Sequence, residues 1–425
     1  MGRGTGEAYM KMTKLEKYWV MYDVGNSAFT LLVSTIIPIF YKNIAMADGV
    51  SASDSTAYLG YAISLSTLIV ALIGPILGTI ADRKNKKKPL FVFFMMMGVL
   101  GCAGLAVPAG WIVFLAIFVI AKVGFSGSLI FYDSMMVDIT SDDRMDEVSA
   151  QGYAWGYIGS CIPFVLSLGL VLGSERLGIS GGAAMAAAFG MNALWWFLVT
   201  IPLLKNYEQK YYVEAERESV REVFGRLVRV FEEIKNNKKI LLFLLAFFFY
   251  IDGVYTIIEM ATSYGKDVGI SDTNLLLALL LTQVVAFPCA ILFGRLAMRR
   301  QTKQLISVCI AAYFAVAVYA IWLDQAWEFW MMATLVGVFQ GGIQALSRSY
   351  FAKIIPKEKS SEYFGIFDIF GKGASFLGTL LMGISTQIFD TSKAGVIIIA
   401  MMFVIGFFLF RFQCSVCETG SGQEK

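Results

Sequence analysis

Residues 78–88 read GTIADRKNKKK, and this short charged stretch separates two long apolar runs. The run before it begins near Tyr58, and the run after it extends from Pro89 to Val107. Each run is long enough to cross a bilayer, since about 20 helical residues cover the hydrocarbon core. Five of the last six residues of the stretch are cations, and Lys and Arg favour the cytoplasmic side of a membrane. We therefore predict a tight cytoplasmic turn between two membrane helices, in which Asn85 takes the left-handed conformation that a short loop needs.

The composition of the whole chain excludes an ordinary soluble protein. Its 425 residues are 57% hydrophobic and 16% charged, and a soluble domain could not keep that many apolar side chains from water. The sequence contains no Gly-x-x-x-x-Gly-Lys-Ser/Thr nucleotide loop and no nucleophile beside a base, which argues against an ATP-driven pump and against an enzyme. Cys414 and Cys417 form a lone Cys-x-x-Cys pair, which we interpret as reduced thiols. We expect no cofactor, no metal and no nucleic-acid partner.

Twelve apolar segments are long enough to cross a membrane. They lie at about 18–41, 56–81, 89–108, 110–138, 148–172, 182–204, 239–264, 273–297, 303–323, 327–355, 361–389 and 393–412. With the N-terminus inside, the predicted cytoplasmic segments hold 28 Lys and Arg residues, and the predicted external loops hold four. This bias predicts that both termini are cytoplasmic. We expect no cleavable signal peptide, because the chain is polar up to Tyr18 and the next apolar run has full length.

The longest polar stretch divides the twelve segments into two groups of six. We predict a first bundle at 1–204, a linker at 205–238, a second bundle at 239–412 and a cytoplasmic tail at 413–425. Within the linker, apolar side chains recur at helical spacing at Val220, Val223, Phe224, Leu227, Val228, Phe231 and Ile234. That pattern predicts an amphipathic helix that lies along the cytoplasmic face of the membrane or against the two bundles.

The two halves of the chain have the pattern of repeats of one unit. GTIADR at 78–83 parallels GRLAMR at 294–299, and QGYA at 151–154 parallels FGIF at 364–367. Asp23 in the first segment matches the region around Asp252 in the seventh. We therefore predict an all-α membrane protein of twelve transmembrane helices, built as two pseudo-symmetric six-helix bundles with a central site between them.

Several motifs resemble those of a known family of transporters. The stretch at 78–88 resembles the loop signature Gly-x-Leu-Ala-Asp-Arg-x-Gly-Arg-Lys of the major facilitator superfamily, with Ile80 in place of the Leu and Asn85 in place of the second Gly. WVMYDVGNSAF at 19–29, GVFQGGIQALSRS at 337–349 and YFGIFDIFGKG at 363–373 resemble a subgroup known as the unknown-major-facilitator family. That subgroup is similar to the vacuolar amino-acid effluxers of autophagy. The resemblance implies the major facilitator fold and favours efflux of amino acids.

Ionisable side chains at membrane depth indicate the functional site, because each costs about 2.5–3.5 kcal/mol to insert and should face a cavity or a partner. Near the predicted midplane lie Lys122, Asp252, Gln340 and Lys372, with Asp23, Asp133, Arg348 and Asp368 in the cytoplasmic half and Glu259 toward the outside. Asp252, Tyr255 and Glu259 share one helix face, as do Gln340, Gln344 and Arg348. The resemblance implies that these faces line the cavity. The alternative is that some charges only neutralise each other between packed helices, with Asp368 and Lys372 at i, i+4 as the best case.

The candidate residues fall into three groups. For substrate binding we name Tyr22, Asn26, Lys122, Trp155, Asp252, Tyr255, Gln340, Gln344 and Lys372. Because histidine is absent, a coupling proton would bind to Asp23, Asp133, Asp252 or Glu259. For gating we name Asp82, Arg83, Asp133, Arg348 and Asp368.

Two gating contacts are predicted in detail. Asp133 and Arg348 occupy nearly matching positions in the two repeats, and we expect them to pair across the halves when the cytoplasmic side is shut. Asp82 is expected either to pair with a neighbouring cation or to accept hydrogen bonds from the unpaired N–H groups near Ser361 and Glu362.

Together these features predict a secondary active transporter that works by alternating access. Lys122 and Asp252 come from opposite halves and would bind the two ends of a zwitterion such as an amino acid. A lipid or another amphipathic metabolite is the alternative substrate, and a non-transporting membrane sensor is a second alternative. We expect a monomer in the cytoplasmic membrane of a bacterium, with a small-molecule substrate and protons as partners besides the lipid bilayer.

Overall fold

The computed structural model describes residues 11–214, 220–267, 269–389 and 392–420, and nearly all of them are helical. The first half contains α1 (Lys14–Ser34), α2 (Ile36–Ala47), α3 (Ala52–Ala81), α4 (Lys87–Gly104), α5 (Trp111–Ser134), α6 (Met136–Ile139), α7 (Met145–Leu172) and α8 (Gly181–Asn206). The linker contains α9 (Val220–Asn236). The second half contains α10 (Lys238–Asp267), α11 (Asp272–Ala297), α12 (Thr302–Ala320), α13 (Ala326–Ile354), α14 (Ser360–Phe389) and α15 (Ser392–Gly420).

The number of membrane spans agrees with the prediction only in part. Within the residues described, ten helices are long and apolar enough to cross a membrane, or eleven if α1 and α2, bent by 40° relative to each other, form one span. α14 is 30 residues long and would be the twelfth span, so the count of twelve stays a prediction. α1 begins before the apolar run, because Thr13 and Glu16 form a capping box that satisfies its first N–H groups.

The turn between α3 and α4 has the predicted form. Asn85 adopts a φ of 60°, the left-handed conformation that Asn tolerates better than most residues. Arg83 forms a backbone bridge with Val213 of the linker, and the Val213 N–H donates to the Asp82 carbonyl oxygen at 2.8 Å. The linker therefore folds back onto this turn before α9 begins.

The helices form two bundles, α1–α8 and α10–α15, that meet along few helix pairs. α7 packs against α11 and α13, and α3 packs against α14. We call the end of the molecule that holds Thr13, the α3–α4 turn and the linker the lower end, and the opposite end the upper end. The lower end is the one that the sequence predicts to be cytoplasmic. The domain bounds at 204, 238 and 412 stay predictions, and α15 continues into the predicted tail as far as Gly420.

α9 is the predicted amphipathic helix, and it contacts both bundles, through α3 and α10. Val230 and Ile234 are buried, whereas Val228 is 58% exposed and Phe231 is exposed as well. Glu233 of α9 binds Lys359, just before α14, at 2.8 Å. The remaining residues predicted for the apolar face have side chains outside the described part of the chain, namely Val220, Val223, Phe224 and Leu227.

Candidate functional site

A buried guanidinium joins the two bundles. Arg348 of α13 is 2% exposed. Its Nη1 donates to Asp133 Oδ1 of α5 at 3.0 Å and to Asp23 Oδ2 of α1 at 3.4 Å. Its Nε donates to Ser149 Oγ and its Nη2 to the Ser149 carbonyl oxygen, both at 3.0 Å. The predicted contact between Asp133 and Arg348 is therefore present, and Asp23 joins it.

Aromatic rings enclose this guanidinium. Its central carbon lies 4.7 Å from the ring centroid of Trp19 and 4.3 Å from that of Tyr153, so cation–π attraction adds to the ion pairs. A Cβ at Gly152 would lie 2.4 Å from Asp23 Oδ2. A glycine at this position therefore leaves room for the Asp23 carboxylate beside α7. Tyr153 was not among the predicted residues. Its signal in the sequence is the i, i+4 spacing from Ser149, which places both side chains on the face of α7 that meets Arg348.

Two further charges line the space between the bundles above this cluster. Lys122 of α5 lies three turns above Asp133, and Glu259 lies in the upper part of α10. Glu259 is exposed and Lys122 is partly exposed, yet protein surrounds both side chains and each lies within electrostatic range of the other. From this combination we infer a solvent-filled cleft between the bundles at this level, which we call the cavity. Neither forms an ion pair with any residue that the structure describes.

The second predicted lysine is already neutralised. Lys372 Nζ lies 2.6 Å from Asp368 Oδ1 on the same helix, so the predicted i, i+4 pair is present. The ammonium group also lies 3.4 Å from the Ser126 carbonyl oxygen of α5, in the opposite bundle. Lys372 is within electrostatic range of Lys122. Of these two cations, Lys122 is therefore the one that keeps its charge available to a ligand.

Polar groups of several helices meet near this cavity. Tyr157 Oη of α7 donates to Gln344 Oε1 of α13 at 3.0 Å. Gln340 Oε1 and Asn26 Nδ2 are buried and have no hydrogen-bond partner within the described part of the chain. Because buried polar atoms nearly always have a partner, these two atoms remain candidates for contact with a substrate or an ordered water. Tyr255, one turn below Glu259, lies within electrostatic range of groups in the first bundle and faces the same space.

Asp252 is turned away from the cavity in this structure, and its pairing with Lys122 around a substrate stays a prediction. The side chain is completely buried and turned toward α14. Its Oδ1 accepts from the Gly378 N–H at 3.0 Å and from Thr256 Oγ1 at 3.2 Å. Glu259, two turns higher on α10, reaches the cavity instead. The spacing predicted the shared face of α10, but the packing of α14 covers only the lower part of that face.

Tyr22 and Trp155 also lie away from the cavity. Tyr22 is completely buried inside the first bundle, where its Oη shares a hydrogen bond of 2.6 Å with Ser128 Oγ. Trp155 is 46% exposed and lies roughly 200° around α7 from Tyr153, which faces Arg348. Its ring therefore points to the outer surface, 5.2 Å from the ring of Phe287 on α11. Both aromatic side chains pack the fold in this structure, and their contact with a substrate stays a prediction.

At the lower end the Asp82 carboxylate caps α14. Its Oδ1 accepts from the Ser361 N–H at 2.8 Å, and its Oδ2 accepts from the Glu362 N–H at 2.9 Å. These N–H groups have no partner within the helix, and the positive end of the helix dipole favours a carboxylate there. The second of the two contacts predicted for Asp82 is therefore present. Burial raises the pKa of Asp82 to about 6, although Lys87 and both N–H groups lower it, so the group is mostly ionised at neutral pH.

A second contact at the lower end was missed. Asp146, at the start of α7, is 3% exposed and accepts from Ser349 Oγ at 2.5 Å, from Lys353 Nζ at 2.6 Å and from Thr302 Oγ1 at 2.6 Å. All three donors belong to the second bundle. The run SDDRMDE at 141–147 has the pattern of a solvated helix start. Nothing in that run indicates which of its acids is covered by the opposite bundle.

The cationic turn also hides a buried lysine. Lys87 is completely buried, and its Nζ donates to Asp138 Oδ2 at 3.0 Å and to Ser360 Oγ of the second bundle at 2.9 Å. Tyr207 Oη of the linker donates to the same Asp138 oxygen at 2.6 Å. The spacing of the lysines in the turn does not show that Lys87 is the buried one. The lower end is thus shut by three groups of contacts, centred on Asp82, Asp146 and Lys87.

Asp82→Asn is expected to lower turnover and to favour the state that is open at the lower end by about 1–2 kcal/mol, several-fold to tenfold or more in population. Asn offers one acceptor oxygen for two donors, so one buried N–H group loses its partner. The affinity of a given state for substrate should not change, because Asp82 lies outside the cavity. The measurement is the reaction of single cysteines at the lower end with a membrane-impermeant thiol reagent.

Asp142→Asn is the matched control for this experiment. Asp142 also pairs across the bundles, with Lys357 at 2.7 Å, but its side chain is 51% exposed, and exposed pairs contribute about 1 kcal/mol or less. This variant should react like the wild type. If Asp82→Asn instead weakens substrate binding and leaves accessibility unchanged, Asp82 belongs to a binding site and the gating assignment fails.

Comparison with known proteins finds relatives over almost the whole length. Residues 13–416 match the family described as "Vacuole effluxer Atg22 like". A Bacillus subtilis protein described as the uncharacterized MFS-type transporter YxiO is 46% identical over 98% of both chains. Autophagy-related protein 22 of Saccharomyces cerevisiae is 23% identical over 87% of this chain and 86% of its own length.

Solved structures show the same fold. The human organic anion transporter MFSD10 has a TM-score of 0.71 at 15% identity and covers 93% of this chain and 99% of its own. The transporter FucP in its outward conformation has a TM-score of 0.71 at 13% identity and covers 95% of this chain and 99% of its own. The predicted major facilitator fold is therefore confirmed, and the relatives are transporters, as predicted, and not enzymes.

Proposed function

Because the chain belongs to the Atg22-like family of the major facilitator superfamily, we propose that it exports a small zwitterionic solute, such as an amino acid, by alternating access. It is a multi-pass membrane transporter, and the proposal concerns its solute, direction and driving force. The description of the family as vacuole effluxers supports export. Two of its structural neighbours are described as proton symporters, of fucose and of xylose, which supports protons as the coupling ion.

The observation that carries the proposal is the pair of free charges in the cavity. Lys122 and Glu259 come from opposite bundles, lie within electrostatic range of each other and have no ion-pair partner among the described residues. A charge without a partner at membrane depth costs about 2.5–3.5 kcal/mol. An amino acid offers its carboxylate to Lys122 and its ammonium group to Glu259, so it satisfies both charges and bridges α5 and α10.

The contacts at the lower end support alternating access. The cross-bundle bonds of Asp82, Asp146 and Lys87 can exist only while that end is shut, and a solute can leave there only after they break. The cluster below the cavity holds two carboxylates, Asp23 and Asp133, for one guanidinium. A proton on either carboxylate would neutralise the excess charge, which supports the proposed proton coupling. We also propose that both termini are cytoplasmic, in a bacterial membrane, and that the protein works as a monomer.

Counterflow in proteoliposomes tests the proposed solute. Vesicles are loaded with unlabelled amino acids, and a labelled mixture is added outside, with and without a pH gradient. Lys122→Met and Glu259→Gln are each expected to slow exchange about tenfold to 100-fold, because a hydrogen bond to a charged group contributes about 1.5–3 kcal/mol. Lys393→Met and Asp324→Asn are the matched controls, since this pair is exposed at the upper end with its charges 3.4 Å apart, and both should exchange like the wild type.

The possible outcomes separate the candidate functions. Full exchange by Lys122→Met or Glu259→Gln would place the solute site elsewhere. Exchange of a labelled zwitterionic lipid, without exchange of amino acids, would support the amphipathic substrate instead. Wild-type vesicles that move neither class of solute would contradict the proposed function.

A further inference from the structure

Asp252 is a fully buried carboxyl group that has no counter-charge among the described residues. Its Oδ1 accepts from Thr256 Oγ1 at 3.2 Å and from the Gly378 N–H at 3.0 Å. Its Oδ2 is buried and has no hydrogen-bond partner in the described part of the chain. Unsatisfied buried atoms of this kind are rare and need an explanation. The proposed solute site, formed by Lys122 and Glu259, does not use this side chain.

The first bundle contains the matching arrangement with a cation added. Asp23 and Asp252 lie on the first helix of their bundles, α1 and α10. Asp23 packs against a glycine of α7, and Asp252 packs against a glycine of α14. A Cβ would lie 2.4 Å from Asp23 Oδ2 if placed on Gly152, and 2.3 Å from Asp252 Oδ1 if placed on Gly378. Asp23 has Arg348 at 3.4 Å. Asp252 has no such cation among the described residues. The pocket that Thr256 and Gly378 form around its carboxyl group, here called the carboxyl seat, therefore lacks the positive partner that Asp23 has.

No described residue of a neighbouring helix supplies that positive charge. On α10 itself, Glu259 is the charged group whose field reaches Asp252, and its charge is of the same sign. Among the described residues, no charged or titratable group on the helices packed against α10 lies within electrostatic range of Asp252. Asp368 and Lys372 of α14 bind each other, and Arg348 of α13 is held by the first bundle.

We propose that Asp252, Thr256 and Gly378 form a proton-binding site inside the second bundle, apart from the central cavity. A proton from water forms an O–H bond with Oδ2 and leaves a neutral carboxylic acid, which removes a charge that would otherwise be buried alone. A metal cation is the competing occupant. Hard cations such as Ca²⁺ and Mg²⁺ take about six oxygen ligands. The described side chains around Asp252 offer two carboxylate oxygens and one hydroxyl, so their chemistry fits a proton.

A small cavity lies beside this carboxyl group, on the side of the upper end. Its volume is about 30 Å³, and its walls include Thr256, Met260 and Tyr264 along α10. This volume is enough for about one or two waters. Thr256 belongs both to the cavity wall and to the hydrogen-bonded seat of Asp252. Because Met260 and Tyr264 lie higher on α10 than Thr256, the cavity extends from the carboxyl group toward the upper end, along walls that are almost entirely apolar.

Infrared difference spectroscopy of the full-length protein in detergent tests the proton directly. A protonated carboxyl group in an apolar site gives a carbonyl stretch that shifts in D₂O. We expect such a band at neutral pH and expect Asp252→Asn to remove it. Thr256→Val removes a donor that favours the ionised form, so deprotonation should need a pH higher by about one unit. Replacing choline by sodium should leave the band unchanged.

Two glycine variants of α14 provide a matched pair. Gly378→Ala forces a methyl group into the carboxyl seat and should shift or remove the band. Gly373→Ala should leave it unchanged, because nothing lies within 4 Å of its Cβ position. The proposal is overturned if the wild type shows no band from pH 5 to 8, if the band persists in Asp252→Asn, or if sodium removes it at constant pH. Thr256→Val keeps the carboxyl group and gives a readout that does not depend on how well Asp252→Asn folds.

The claim that Asp252 binds a proton does not depend on the proposed transport function. The claim that this proton is coupled to transport rests on that function. In proteoliposomes, a pH gradient should drive accumulation of amino acids by the wild type and Gly373→Ala but not by Asp252→Asn. If wild-type vesicles exchange no amino acid while the infrared band is present, the proposed solute is wrong and the proposed proton-binding site is supported. If they exchange amino acids and the band is absent, the proposed proton-binding site is wrong and the proposed solute is supported.

Discussion

Arg348→Gln is expected to abolish transport and to destabilise the protein by about 3–5 kcal/mol. The guanidinium is 2% exposed and holds two carboxylates, Asp133 at 3.0 Å and Asp23 at 3.4 Å. Without it, both carboxylates stay buried with no opposite charge. Arg348→Lys should also fail, because a single ammonium group lacks the planar fork that reaches Ser149 and both acids at once. Thermal unfolding in detergent measures the stability, and counterflow measures the transport.

A triple variant separates the stability of this cluster from its role in gating. Replacing Asp23 and Asp133 by Asn together with Arg348→Gln removes every charge of the cluster, and most of the lost stability should return. Transport should not return, because the ionic contact that draws α1, α5 and α13 together is gone. Arg299→Gln is the control, since that side chain is exposed and its loss should affect neither measurement. Full transport by the triple variant would show that the cluster is structural only.

The double variant Asp133→Arg with Arg348→Asp exchanges the two charges. It should restore less transport than would be expected if these two residues paired only with each other. A carboxylate at 348 would face Asp23, which lies 3.4 Å from the present guanidinium, and like charges at that distance repel. The sequence indicates one partner for Arg348, whereas the structure shows two. Recovery of full transport by the simple exchange would mean that Asp23 is protonated or has moved in the shut state.

Gly78→Ala is expected to keep the lower end from shutting and to reduce transport about tenfold or more. A Cβ at this position would lie 2.5 Å from the Ser361 carbonyl oxygen and 2.8 Å from its carbonyl carbon, and backbone atoms cannot rotate away. α3 and α14 must then separate, which lengthens the bonds from Asp82 to Ser361 and Glu362, now 2.8 Å and 2.9 Å. Overpacking of this kind costs about 1–3 kcal/mol, which lowers the population of the shut state about fivefold to 100-fold or more.

Gly60→Ala on the same helix is the matched control for this steric effect. Nothing lies within 4 Å of its Cβ position, and Ala favours a helix over Gly, so the variant should be as active as the wild type. Cysteine accessibility from the lower end should rise in Gly78→Ala and stay constant in Gly60→Ala. Equal accessibility in both variants would show that the close approach of α3 and α14 is not required for shutting.

The lower end could be predicted in part because its chemistry is local. A short cationic turn between two apolar runs specifies a pair of membrane helices, and Asn85 supplies the left-handed residue that such a turn needs. The capping of α14 by Asp82 follows from the unpaired N–H groups at any helix start. The roles of Asp146 and Lys87 could not be predicted, because local sequence does not show which of several like charges is covered by a distant helix.

The sequence by itself determined the membrane helices, the amphipathic linker and the set of charges at membrane depth, because apolar length and periodicity are properties of one helix at a time. Only the tertiary structure decided which charges share the cavity. Glu259 joins Lys122 there, whereas Asp252, seven residues earlier on the same face of α10, is covered by α14 at Gly378. Spacing places a side chain relative to its own helix axis. Which neighbour covers a given turn depends on how the helices cross and on small residues far along the chain that let them approach.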